Sequence, residues 1–95
     1  MNKEEIFEMV ITEMTETALL ERRGTCAEDE QRLYTEVGEL SRQRQDILAP
    51  LSPEERQVLE DYLVKTNLIA DHECKHLYVQ GAKDCVELLK KLGAL

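Results

Sequence analysis

Apolar residues recur along this chain at intervals of three and four and nowhere alternate with polar ones over a bounded run, a spacing that predicts helices throughout and no strands. Over residues 3–22, Ile6, Val10, Met14 and Ala18 form one stripe, broadened by Phe7 and Ile11. Over residues 26–48, Cys26, Leu33, Leu40 and Ile47 fall at spacings of seven, with Glu30, Val37 and Arg44 between them. That is a coiled-coil-like seam with two polar interruptions. A third stripe, running Leu59, Leu63, Ala70, Cys74, Leu77, Gly81, Cys85, Leu88 and Leu92, predicts a helix over residues 53–92, about 60 Å long if unbroken.

The boundaries carry their own signals. Asn2 with Glu5, Thr25 with Glu28 and Ser52 with Glu55 each have capping-box spacing, in which a short polar side chain accepts from the first turn and the Glu reaches back. Pro53 sits where a helix tolerates proline, Gly24 reads as the end of the first helix, and Pro50 and Pro53 bracket the clearest linker. The expected fold is all-α: a single helical domain over residues 1–95, with a helical hairpin (3–22 and 26–48) followed by a long C-terminal helix (53–92). Together these read as a three-helix, bundle-like arrangement. Two 30 Å helices cannot cover a 60 Å one side by side, so the long helix is expected either to break near Thr66-Asn67 (66–67) or to reach a second subunit.

Composition narrows the function more than the shape. With 95 residues, 42% hydrophobic and 34% charged, four glycines and two prolines, the chain reads as one folded domain, and its single Phe, three Tyr and absent Trp imply an aliphatic core. The net charge is −8, without a basic stripe or an aromatic series for stacking on bases. Nucleic acid and anionic membranes are therefore not expected partners, whereas a protein partner or a second copy, as in a homodimer, is. Cys26, Cys74 and Cys85 form no C-x-x-C pair, and no signal peptide or spanning apolar run is present, which points to a reducing cytoplasm. All three read as small core residues.

One stretch carries candidate chemistry. His72-Glu73-Cys74-Lys75-His76 fits H-E-x-x-H, the helical zinc signature of metallopeptidases, in which two inward histidines hold the ion and the Glu activates its water. Winding the third helix at 100° per residue places Cys74, Leu77, Gly81 and Leu88 within about 40° of the stripe centre at Ala70, but His72 about 160° and His76 about 120° away. Both imidazoles should therefore face solvent, with no third histidine in the chain to complete a catalytic site. Glu87 shares the face of His76 but lies about 16 Å further along the helix. Two histidines four apart are still a bidentate start for zinc or nickel, so a metal-binding protein using His72 and His76 is the alternative reading. Glu73-x-x-His76 also matches the E-x-x-H element of di-iron four-helix proteins, which requires inward-facing ligands. Ser41 and Ser52 have no histidine beside them, and the glycines form no phosphate loop. No catalytic residue and no cofactor are assigned.

The C-terminal stretch "LYVQGAKDCVELLKKLGAL" resembles the ending of small uncharacterised helical proteins of Gram-positive gut bacteria and their mobile elements, through Tyr78, Gly81, Leu88 and Leu89. That resemblance implies a helical fold in a bacterial cytoplasm and carries no activity. Gly81, on the apolar stripe, is expected to admit a neighbouring helix backbone, since glycine costs about 1 kcal/mol of helix propensity relative to alanine. The expected function is non-enzymatic: a helical protein–protein interaction or self-association module. If two copies of the second helix pack antiparallel about Val37, Glu30 of each should meet Arg44 of the other.

Overall fold

The computed structural model describes residues 1–95. It contains three helices, α1 (Lys3–Thr25), α2 (Glu28–Leu48) and α3 (Pro53–Lys91), which make the chain 87% helical with no strand. The fold is all-α. By Cα proximity the residues group into two compact units, one formed by Met1–Leu19 with Leu68–Leu95 and the other by Leu20–Asn67.

Two of the three capping boxes form. The Glu5 N–H donates to Asn2 Oδ1 at 2.8 Å and the Glu55 N–H donates to Ser52 Oγ at 3.1 Å, so each supplies a partner for an otherwise orphaned first-turn donor. Ser52 Oγ in turn donates to Glu55 Oε1 at 2.9 Å, and Glu54 and Glu55 meet the positive end of the α3 dipole. The third box does not form. Thr25 Oγ1 donates backward to the Glu21 carbonyl at 2.8 Å, an i−4 bond that keeps Thr25 inside α1, and the helix runs through Gly24 rather than ending there. Ala27 takes the N-cap position of α2 with φ −62° and ψ 158° and makes no side-chain cap.

What holds that corner is a set of longer side chains. Gln31 Nε2 donates to the Cys26 carbonyl at 2.9 Å, Arg22 Nη2 pairs with Glu30 Oε2 at 2.9 Å, and the Arg23 guanidinium lies 5.9 Å from the centre of the Tyr34 ring. Arg22 and Arg23 also face the negative end of α1.

Helix α3 passes Thr66 and Asn67 without a break, although Thr66 Oγ1 bonds back to the Leu63 carbonyl at 2.9 Å. Its 39 residues span about 58 Å. It closes in a Schellman motif: the Ala94 N–H donates to the Leu89 carbonyl at 2.9 Å and the Gly93 N–H to the Lys90 carbonyl at 3.1 Å. Gly93 stands at φ 75°, where a side chain would be strained.

The aliphatic core expected of a bundle is absent from the single chain. Cys26 and Leu48 are the only buried hydrophobic residues, and no residue of α3 is buried. Leu77, placed at the centre of the α3 stripe by the helical wheel, is 67% exposed, and Cys85 on the same stripe is exposed, so neither is a core residue. Half-buried positions on α3 include Cys74, Lys75, Tyr78, Val79 and Leu89. A Cβ built at Gly81 meets nothing within 4 Å, so no neighbouring backbone approaches there. On α1, the structure covers Ile11, Thr12 and Thr15 instead of Ile6, Val10 and Met14. Thr15 Oγ1 meets the cost of its burial by donating to the Ile11 carbonyl at 2.7 Å.

Candidate functional site

The H-E-x-x-H residues lie in the unit formed by the first half of α1 and the second half of α3. Their four-residue spacing sets His72 and His76 one turn apart, and both line a groove of about 410 Å³ whose apolar wall is Phe7, Ile11 and Val79. Glu8, Thr12 and Lys75 complete the lining, while Cys74 is half-buried and Glu73 is exposed. Both imidazoles are exposed, on the side of α3 that meets α1.

No three His, Cys, Asp or Glu side chains come together in a way that could hold one ion. Lys75, which lines the same groove, pairs its ammonium with Asp71 Oδ2 at 3.0 Å. The metal-binding alternative through His72 and His76 therefore gains no third ligand from the fold, and the inward-facing carboxylates of a di-iron centre do not assemble.

The second unit holds a groove of different character. Leu40, Ile47, Leu59, Tyr62 and Leu63 line about 480 Å³ of open space, with Gln43 and Arg44 as its polar members. These apolar residues are all at least 42% exposed, and Leu48 is the one lining side chain that is buried. The same unit leaves Leu33, Tyr34, Val37, Val58 and Val64 between 48% and 67% exposed. Glu30 and Arg44, the two interruptions in the α2 seam, are both drawn into the chain's own packing. Glu30 pairs with Arg22, and Arg44 is half-buried beside the groove.

Sequence reasoning found the seam itself but missed the groove, which depends on how α2 meets α3. Tyr62 was the available signal: an aromatic three residues from Leu59, with a large face and a polar tip.

Cys26 is the one titratable group whose ionisation is clearly shifted. Burial pushes its thiol up, and the neighbouring Glu30 carboxylate adds to the effect, so it stays protonated and weakly nucleophilic. Cys26, Cys74 and Cys85 are all free.

Fold and surface together define a class: an all-helical chain in which no three His, Cys, Asp or Glu side chains gather to hold an ion and whose apolar helix faces are left bare. The chain belongs to the family of unknown function DUF6664, whose model matches residues 4–95. The family therefore extends over nearly the whole chain, well beyond the C-terminal stretch that first suggested a relationship. No curated protein and no solved structure matches it. No helix is long and apolar enough to cross a membrane.

Proposed function

We propose that this protein is a non-enzymatic helical association module whose folded form is completed by contact with another polypeptide, in the first place a second copy of itself. One observation carries the reading. Only Cys26 and Leu48 are buried hydrophobic residues, while 25 large hydrophobic side chains stand at least 39% exposed. Apolar side chains left bare on this scale are what an association partner would cover.

Sequence and structure support the same conclusion from different sides. The stripes that hydrophobic periodicity marks as core are the residues the single chain leaves bare: Val10 on α1 (44% exposed), Val37 on α2 (63%) and Leu88 on α3 (57%). A helix gains most of its stability from packing its apolar face, so stripes this regular and this exposed imply a covering surface. The surface charge of −8 disfavours a phosphate backbone or an anionic membrane as that cover, and the compartment this composition suits is a bacterial cytoplasm.

Thermal unfolding of the purified protein across about a hundredfold dilution tests the proposal. The midpoint should fall as the protein is diluted, as it does for any fold coupled to assembly. A midpoint independent of concentration, with helix content retained at the lowest concentration, would refute it.

A further inference from the structure

We infer that a second copy of this chain docks on the middle of α2, antiparallel and with the twofold axis near Val37, so that Leu33 of each copy packs against Leu40 of the other. This rests on the association reading above and adds the surface and the orientation.

The observation that singles out this surface is a gap in one helical face. Wound at 100° per residue, Glu30, Val37, Arg44 and Leu48 all lie within about 20° of one line along α2. The chain covers both ends of that line. Leu48 is 5% exposed at one end, Arg44 beside it is half-buried, and Glu30 at the other end is half-buried. The middle is bare: Val37 is 63% exposed, with Leu33 at 58% and Leu40 at 60% flanking it on one side of the line. A Cβ built at the adjacent Gly38 would also meet open space. Seven residues separate Leu33 from Leu40, about 10 Å, which is the footprint of one helix crossing another.

Charge selects the direction. The first half of α2, Glu28 to Gly38, carries four acidic and one basic residue, whereas the second half, Glu39 to Leu48, carries two of each. A parallel pair would stack the acidic halves on one another, while an antiparallel pair sets each acidic half beside the half that holds Arg42 and Arg44. A twofold axis also makes the surface its own complement, since Leu33 meets Leu40 twice and Val37 meets itself. The continuation of the bare face into the groove of Leu59, Tyr62 and Leu63 supplies additional area beyond these three side chains.

Cysteine cross-linking of the full chain tests this. In a background with Cys74→Ser and Cys85→Ser, which leaves only the buried Cys26, Val37→Cys should form a disulfide-linked or short-maleimide-linked dimer. Leu33→Cys should not link to itself, being offset by about 10 Å from its copy, but should link to Leu40→Cys when the two variants are mixed. Self-linking of Leu33→Cys would overturn the antiparallel arrangement. Absence of any link while the protein still has the mass of a dimer would overturn this surface and leave the association reading standing; a monomer at all concentrations would overturn both. If the cysteine variants fail to fold, Val37→Glu provides the second measurement. Its dissociation constant should rise at least about a hundredfold, and an unchanged constant would likewise exclude this surface.

Discussion

Truncating Leu48 and truncating Leu33 should destabilise this protein in different ways, because one side chain is covered by its own chain and the other is not. Leu48 is 5% exposed and sits where α2 meets α3, so Leu48→Ala removes a filled position and leaves a cavity. The expected cost is about 2 to 5 kcal/mol, felt at every protein concentration. Leu33 is 58% exposed within the chain, so roughly two-fifths of the full leucine burial term of about 2 kcal/mol is at stake there, or about 0.8 kcal/mol. Covering the remaining three-fifths on association adds about 1.2 kcal/mol per copy. Two copies per dimer give about 2.4 kcal/mol, which raises the dissociation constant of Leu33→Ala by roughly fiftyfold. Urea unfolding followed by circular dichroism at several concentrations reads both effects. Leu48→Ala should shift the midpoint by the same amount across the series, while the Leu33→Ala shift should be small where the parent is dissociated and should grow where it is associated. A Leu33→Ala shift that is constant with concentration would refute the reasoning.

Ser52→Ala should cost about 1 kcal/mol through loss of the α3 cap, whereas Thr25→Ala should be neutral or slightly stabilising, because Thr25 bonds back into α1; denaturant midpoints compare the two. Alkylation of the native protein followed by mass spectrometry should modify exposed Cys85 first, half-buried Cys74 next and Cys26 last, and equal rates would contradict the buried, protonated state of Cys26. The sign of its pH linkage follows from the same shift. The fold keeps the thiol protonated where the unfolded chain ionises it, so this contribution to stability is intact below the ordinary thiol value and is lost as pH rises through the folded-state value. Cys26→Ala should remove that alkaline loss. Replacing His72 and His76 together by alanine should change stability by less than about 1 kcal/mol, and chelation should leave the parent's melting temperature unchanged; a fall of several degrees on chelation would revive the metal reading.

Helix identity was legible because it depends on local spacing. The period that placed Ile6, Val10 and Met14 on one face is a property of α1 alone, and Ser52-Pro53-Glu54-Glu55 states the start of α3 in four residues. The corner between α1 and α2 was not legible in the same way. Thr25 has two acceptors within reach, and the packing of Arg22 on Glu30 and of Arg23 on Tyr34 favours the one that extends α1. Burial was the least legible property. Periodicity says that Leu77 and Leu88 share a stripe and does not say what covers it. The placement of His72 and His76 away from that stripe followed from geometry, and the single chain keeps both exposed, but the groove they share with Phe7 and Ile11 arises from a contact between helices distant in sequence.

Sedimentation equilibrium of the untagged protein at micromolar concentration tests the central claim most directly. A completed association module should sediment at twice its chain mass of 11.0 kDa or at a higher multiple, and should return toward 11.0 kDa with dilution in step with loss of helix. A single, fully helical species of 11.0 kDa at every concentration, able to leave its apolar faces in water, would contradict it.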